Sequence, residues 1–324
     1  MPADGRPVVV LCDLIADLAM HIPAFPVDAA GLHRVSYLEL GPGGAGNTAI
    51  MAARLGLPVA CLGEVGRDPF GEAVLDGLRR EGVDLSGIAV DPATRTPVAG
   101  VLVDARAEPA YLGYPGDLRL RALPPAWAAR VRAARAVFAD GWAEHAGIAG
   151  IVVAAFREAR DAGVPIFFDP GPGNPALDNG WHREAAGLVT CVLVNEREAL
   201  ALTGQPNVSA AGQALVAGGA ALAVIKRGAA GCLLVTAERI KLSPGYPVPV
   251  VDATGAGDSL AAAVIFGYLA GLALPEIGVL ANATGAAKVQ KRGTGRNMPT
   301  RDEMRAVLAR FGEDVALLDA GDRR

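Results

Sequence analysis

Short runs of aliphatic and β-branched residues recur along the chain, at Val8 to Leu11, Val59 to Leu62, Ala136 to Phe138, Val164 to Phe168, Val189 to Val194, Leu222 to Ile225 and Cys232 to Val235. These runs are nearly continuous in apolar residues rather than alternating, which fits strands of a sheet covered on both faces. Segments of helical length lie between several of them, at Asn47 to Leu55, Pro69 to Glu81, Ile148 to Ala162, Glu196 to Thr203 and Ala210 to Gly218. Alternation of strand and helix predicts the α/β class with a mainly parallel, doubly wound sheet. Two stretches break the alternation, about residues 17–40 and 91–120, where extended segments are separated by Pro and Gly. Within them HRVSYLEL and TPVAGVLVD read as amphipathic or edge strands. Two such insertions can pair into a small β-sheet over one end of the main layer, where it acts as a lid. The chain, 1–324, then reads as one domain with no repeat of fixed period.

Composition narrows the classes. Apolar residues make up 52% and charged residues 20%, which describes a globular protein, and the net charge of −4 offers no broad attraction to nucleic acid or anionic membrane. Any phosphate the protein binds must be held by local geometry. Mean hydropathy is +0.32, yet the longest apolar run, Leu260 to Leu274, is interrupted by Gly267, Tyr268 and Gly271. That is short of the ~20 residues a membrane span requires. The N-terminal MPADGRPVVVLCD lacks the basic region and cleavage site of a secretory signal, so a cytoplasmic location is expected. Cys12, Cys61, Cys191 and Cys232 are scattered through apolar runs and read as reduced core residues. The histidines are equally dispersed and suggest no histidine-based nucleophile.

The segment VVDATGAGDSLAAAVIFG, Val250 to Gly267, runs from a short apolar stretch through a Gly-rich turn into a helix beginning near Asp258 or Ser259. Gly255, Ala256 and Gly257 let backbone N–H groups approach an anion, and the helix points its positive end at the same place. A carboxylate beside such a hole suits phosphoryl transfer, where an acceptor hydroxyl loses its proton as charge develops on the phosphate. Asp258 is therefore the candidate base, against a plainer reading as helix N-cap.

A second segment, GPGGAGNTAIMAARLG from Gly41 to Gly56, supports two readings. Gly41, Gly43 and Gly46 satisfy the dinucleotide fingerprint GxGxxG, with Glu64 following as the acidic residue, which would make the protein a nicotinamide-dependent oxidoreductase. In a kinase the same glycines bring backbone close to a substrate hydroxyl, and the Asn47 amide contacts a polyol. The fingerprint falls some way from the first strand and leaves the GAGD segment unexplained, which favours the kinase.

Taken together, GGAGNTAIMAARLG and DATGAGDSLAAAVIFG resemble the two signatures of the PfkB family of carbohydrate kinases, also called ribokinase-like, with motifs in family order from about Val8 to Pro299. The resemblance implies an α/β/α fold with a β-sheet lid, ATP as phosphoryl donor and Mg2+ as helper ion. It assigns Asp258 as base, Gly255 to Gly257 as anion hole, and Asp17, Gly43 and Asn47 as substrate contacts, with Asp13 a second choice. NERE looks like the family's NxxE motif, in which Asn195 and Glu198 act on Mg2+ through water and on the ATP phosphates, although a capping box also accounts for it. KRGAAG resembles a nucleotide-binding turn, with Lys226, Gly228 and Gly231 near ATP, and Asn282 falls where the family builds its adenine pocket. Relatives often bind a monovalent cation, K+, near the positions of Asp252, Thr254, Lys288 and Gly293. Here Lys288 replaces a commonly small residue, as Pro42 does before Gly43. Relatives also dimerise through the lid, so a homodimer is a further expectation.

The acceptor is left open by these motifs. A nucleoside would call for aromatic stacking, for which Phe25, Tyr111 and Tyr114 are at hand. A sugar acid or sugar phosphate would call for a basic residue such as Arg34, Arg95 or Arg106. A non-catalytic regulator on the same scaffold is disfavoured by the intact Asp258.

If Asp13 and Asp17 lay on one straight strand, about 13 Å would separate them at ~3.3 Å per residue. A bulge would then be needed for both to grip one monosaccharide.

Overall fold

The computed structural model describes residues 4–11, 13–29, 31–107, 109–171 and 180–322. Its strands are β1 (Val8–Leu11), β2 (Ala16–His21), β3 (Tyr37–Pro42), β4 (Val59–Gly66), β5 (Asp84–Asp91), β6 (Val98–Val103), β7 (Pro109–Tyr114), β8 (Ala136–Asp140), β9 (Ile166–Asp169), β10 (Cys191–Asn195), β11 (Leu222–Lys226), β12 (Cys232–Val235) and β13 (Ile240–Ser243). The helices are α1 (Ala45–Arg54), α2 (Pro69–Arg80), α3 (Pro125–Arg132), α4 (Ala149–Asp161), α5 (Trp181–Ala186), α6 (Glu196–Thr203), α7 (Val208–Ala217), α8 (Ala256–Leu269), α9 (Leu274–Val289) and α10 (Arg301–Arg310).

The large sheet runs in the order β13-β12-β11-β10-β9-β8-β1-β4-β5. It is parallel from β11 through β5, with β12 and β13 added antiparallel. Successive strand residues point to opposite faces. Val8 and Val10 enter a core with α1, α8, α9 and α10, while Val9 and Leu11 enter a second core with α3, α4 and α7. Two covered faces explain the unbroken apolar runs. The two edge strands lack such a run: β5 reads DLSGIAVD and β13 IKLS, with most of their residues exposed or half-exposed. The apolar stretch from Leu260 is α8, whose residues Ser259 to Gly267 are all buried. A helix apolar all round belongs in a core, and no helix among the described residues is long and apolar enough to cross a membrane.

The small sheet has the order β3-β2-β6-β7 and draws its strands from residues 16–42 and 98–114. Chain passage from β1 to β2 is sharp. Leu14, with φ of 48°, sits in the left-handed region that a γ-branched residue rarely adopts. Asp13 and Asp17 therefore do not share a straight strand, and the chain swings from one sheet into the other there.

Connections run outward from β1 in opposite directions, through β4 and β5 on one side and through β8, β9, β10 and β11 on the other. Ligands of open α/β sheets bind at such a switch point, beyond the carboxyl ends of the strands.

Candidate functional site

Apolar strands that end on a polar residue deliver that residue to the same edge of the sheet. Asp13 follows β1, Asp140 ends β8, Asp169 ends β9, Asn195 ends β10 and Lys226 ends β11. All but Asn195 face a cavity of about 690 Å³ whose lining includes Asp13, Asp17, Asn47, Asp140, Asp169 and Glu198, with Lys226, Thr254, Gly255, Gly257 and Asp258 completing the wall opposite. From above, Tyr111 and Tyr114 of β7 and Trp142 close over it. Asp140, Asp169 and Trp142 are absent from the expectations drawn from sequence.

The Gly-rich segment Gly41–Gly46 shapes the acceptor half. Gly43 N–H donates to the Ile15 carbonyl at 3.0 Å, and a Cβ on Gly43 would stand 2.1 Å from Asp17 Oδ1. Only glycine lets the Asp17 carboxylate lie against this backbone. Asp17 Oδ2 accepts from Thr294 Oγ1 at 3.1 Å, which ties the small sheet to the C-terminal part of the chain. Asn47 lies in the first turn of α1, not at its cap, which is Gly44. Its Oδ1 accepts from Gly295 N–H at 3.0 Å, and its side chain lies near enough to Asp258 to favour that carboxylate's charge.

Asp258 stands in the first turn of α8, whose N-cap is Gly255 in the left-handed conformation at φ 77°. The capping explanation for Asp258 is thus not the one adopted. Ala256 N–H turns back to the Ala253 carbonyl at 3.2 Å, whereas among the described residues no backbone acceptor meets the N–H of Gly255 or Gly257. Two lysines flank the turn: a Cβ on Gly257 would stand 3.5 Å from Lys226 Nζ, and one on Gly255 would stand 3.4 Å from Lys288 Cε. The place is built for an anion. Burial raises the Asp258 pKa to about 7, Asp169 adds to the rise, and Lys226, Asn47 and Lys288 oppose it.

Lys226 Nζ is 2.5 Å from Asp169 Oδ2. Burial works against its charge, but Asp169 and Glu198 outweigh that and hold the amine above its usual range. NERE forms a reciprocal capping box at the start of α6. Asn195 Oδ1 accepts from Glu198 N–H at 2.8 Å, and Glu198 Oε2 accepts from Asn195 N–H at 2.7 Å. Glu198 reaches the cavity and Asn195 does not. Burial, with Asp169 behind it, lifts Glu198 above the usual carboxylate range.

Besides Asn195, three residues expected at ATP lie outside the cavity lining. Asn282 Nδ2 donates to the Ser243 carbonyl and Oγ and to the Pro244 carbonyl, each at 3.0 Å, which pins the end of β13 against α9. Gly228 and Gly231 form the tight turn of the antiparallel β11–β12 hairpin, with φ of 55° and 87°.

Behind the anion turn lies a second charged group. Asp252 accepts from Thr254 N–H at 2.9 Å and Gly293 N–H at 2.8 Å, and lies 3.2 Å from His21 Nε2. Burial disfavours its charge, yet these N–H donors and Lys288 hold its pKa low. Lys288 is fully buried, donates to the Lys291 carbonyl at 3.1 Å, and is pushed down to about 8 by burial against the opposing pull of Asp252 and Asp258.

The dinucleotide reading has no geometric basis here. Gly41 belongs to β3 of the small sheet, paired antiparallel with Asp17, and not to a parallel βαβ turn. Glu64 is buried within β4, where its Oε2 accepts from the N–H groups of Arg119 and Leu120 at 3.0 and 2.9 Å.

Comparison with known proteins agrees with this geometry. The family model for pfkB family carbohydrate kinases matches residues 8–301. A 2-dehydro-3-deoxygluconokinase of Bacillus subtilis is 29% identical over 312 residues, covering 86% of this chain and 90% of the relative. Ribokinase of Mus musculus is 30% identical over 94% of this chain and 95% of its own length. Among solved structures, Arabidopsis thaliana ribokinase complexed with ribose and ATP superposes with a TM-score of 0.80 at 24% identity, covering 94% of this chain and 98% of that one.

Proposed function

Because the chain belongs to the pfkB family of carbohydrate kinases, we propose that it transfers the γ-phosphoryl group of ATP to a hydroxyl of a small sugar or related polyol, with Asp258 as base. The observation that carries this is the Asp258 carboxylate, raised to about 7 at the head of α8 between the Asn47 amide and the unpaired N–H groups of the anion turn. The acceptor hydroxyl, positioned by Asp17 and Asn47, passes its proton to Asp258 as its oxygen bonds the γ-phosphorus. The bond from that phosphorus to ADP breaks. Gly255 and Gly257 N–H groups, the helix N-terminus and Lys226 carry the developing charge. The small sheet acts as the lid, with Tyr111 and Tyr114 excluding water above the acceptor.

Mg2+ keeps several waters and takes carboxylate and phosphate oxygens. Glu198 and Asp169, lining the cavity beside Lys226, fit that donor set, and no group of three candidate ligands among the described residues would hold the ion without phosphate. When bound, the ion neutralises phosphate charge. Lys226 sits with them at the ATP end, while Asn195 positions Glu198 through the capping box and Asn282, Gly228 and Gly231 shape the ground behind.

A monovalent cation near Asp252, Thr254 and Gly293 is replaced in this reading by the Lys288 ammonium, which holds the charge K+ would bring. Turnover is expected to be the same in K+ and Na+ buffers at equal ionic strength. Activation by K+ of more than about twofold would contradict the replacement.

Leu38 and Leu40 of β3 and Leu112 of β7 are exposed on one face of the small sheet, with Leu18, Met20, Gly100 and Leu102 between them in register. Such an apolar face calls for cover, and a homodimer through the lids provides it. Sedimentation is expected to give a dimer that Leu38→Glu with Leu112→Glu converts to monomer. A cytoplasmic location fits ATP as donor and the buried thiols of Cys191 and Cys232.

The decisive experiment is an ADP-release screen over hexoses, pentoses, amino sugars, sugar acids, sugar phosphates and nucleosides. A nucleoside acceptor is the second reading, favoured by Tyr111 and Trp142, whose ring centroids are 5.5 Å apart at the cavity. ATP binding without ADP release from any of these acceptors would overturn the kinase assignment.

A further inference from the structure

The acceptor half of the cavity is crowded with buried carboxylate oxygens that the described residues leave largely without hydrogen-bond donors. Asp13 is 1% exposed, and among the described residues neither of its carboxylate oxygens meets a donor in regular hydrogen-bond geometry, only the N–H groups of Ile15 and of Asp13 itself lying near enough to favour its charge; Asp140, 5% exposed, leaves Oδ1 without a partner, and both buried oxygens of Glu144 lack one. All three side chains line the cavity. Asp13 and Asp140 converge over Gly44, where an added Cβ would stand 2.9 Å from Asp13 Oδ1 and 3.3 Å from Asp140 Oδ2. Burial lifts Asp13 to about 7, with Asp258 adding to the rise, and lifts Asp140 well above the usual range, with Asp13, Asp258 and Asp169 adding to it. Like charges so placed require a shared proton or a cation.

No arginine lines the cavity among the described residues, and its one lysine, Lys226, is paired with Asp169 at the phosphate end. Arg34, Arg95 and Arg106, the candidates for an anionic acceptor, are exposed, and Arg106 pairs with Asp104 at 2.9 Å. A carboxylate or phosphate on the acceptor would add negative charge to a place without a positive group to receive it. An independent feature points the same way. Trp142 presents its indole to the cavity, tilted by 49° against Tyr111 at 5.5 Å and by 35° against His145 at 5.6 Å, and an indole face attracts cations more strongly than the other aromatic rings.

We propose that the acceptor is a hydroxylated compound carrying a protonated amine, an amino sugar or amino polyol, whose ammonium group sits among Asp13, Asp140 and Glu144 against the Trp142 ring. The proposal rests on the kinase reading above. An ammonium offers three donors and one charge, which satisfies the converging oxygens as hydroxyls alone do not. Phosphoryl transfer then proceeds to a hydroxyl of the same molecule as already described.

The test is a matched acceptor series with saturating MgATP at pH 7: neutral sugars, their amino and N-acetylamino counterparts, the corresponding sugar acids and sugar phosphates. The amine-bearing acceptor is expected to exceed its neutral isostere in kcat/KM by about tenfold or more, with the advantage lost on N-acetylation. Asp140→Asn should shrink that ratio. Trp142→Leu, outside the carboxylate cluster, should shrink it as well and covers the case in which Asp140→Asn fails to fold. ADP release that favours the neutral isostere, the acid or the phosphate overturns the inference and leaves the kinase standing. ADP release from no acceptor, in protein shown by calorimetry to bind ATP, overturns both.

Discussion

Asp258→Asn is expected to lower kcat by roughly 10²–10⁴, the range for losing a positioned general base. The substitution keeps the shape of the side chain and its reach to Asn47 while removing the group that takes the acceptor proton. It also removes a negative charge that lies close to Asp169 and raises the pKa values of Asp13 and Asp17. Folding should therefore survive, and the KM for ATP should not rise. The wild-type pH profile supplies a second readout. Asp258 must be ionised to act, so kcat/KM should climb as pH passes about 7. Lys288 must be protonated to support the anion turn, so activity should fall as pH passes about 8. In Asp258→Asn the acid limb should flatten. Near-full kcat at saturating substrates in this variant would remove Asp258 from the mechanism.

Lys226→Met is expected to be nearly as damaging by a different route. The Lys226 and Asp169 side chains are only 15% and 10% exposed, and their charges compensate each other. Removing one partner of a buried pair costs about 3–5 kcal/mol, since the other charge stays behind uncompensated. Asp169 would then act undiminished on Asp258, whose pKa Lys226 normally lowers. The acid limb should move to higher pH, with ATP binding weakened and kcat reduced. Adding Asp169→Asn should recover thermal stability without recovering turnover. An acid limb left near 7 in Lys226→Met would show that the lysine does not tune the base.

Much of the architecture could be read from the chain because burial leaves its mark on composition. The interior strands, covered on both sides, had to be apolar throughout, and β1 and β12 were legible to the residue. β5 and β13 escaped because an edge strand with an open face carries polar residues that break the pattern. The anion turn was legible because Gly255 and Gly257 precede an uninterrupted apolar helix. Asp140 and Asp169 were not singled out, although AVFAD and IFFD carry the same signal as CVLVN and LAVIK: a buried strand ending on one polar residue. Trp142 left no sequence pattern, as its place depends on the turn after β8 meeting β7 from the other sheet. Asn282 was read for its type and position, but its amide is engaged by the backbone of Ser243 and Pro244, which only tertiary packing decides.

Leu14 marks the passage between two sheets, with Asp13 on the large-sheet side and Asp17 on the small. If the small sheet swings as the proposed lid, the two carboxylates part, because the acceptor's binding determinants are divided between the two sheets. The phosphorylated product is then gripped only while both halves meet, and opening the hinge breaks its contacts together. Under this arrangement the escape of product would follow the swing of the sheet, and turnover at saturation would be paced by the chain crossings that join the two sheets.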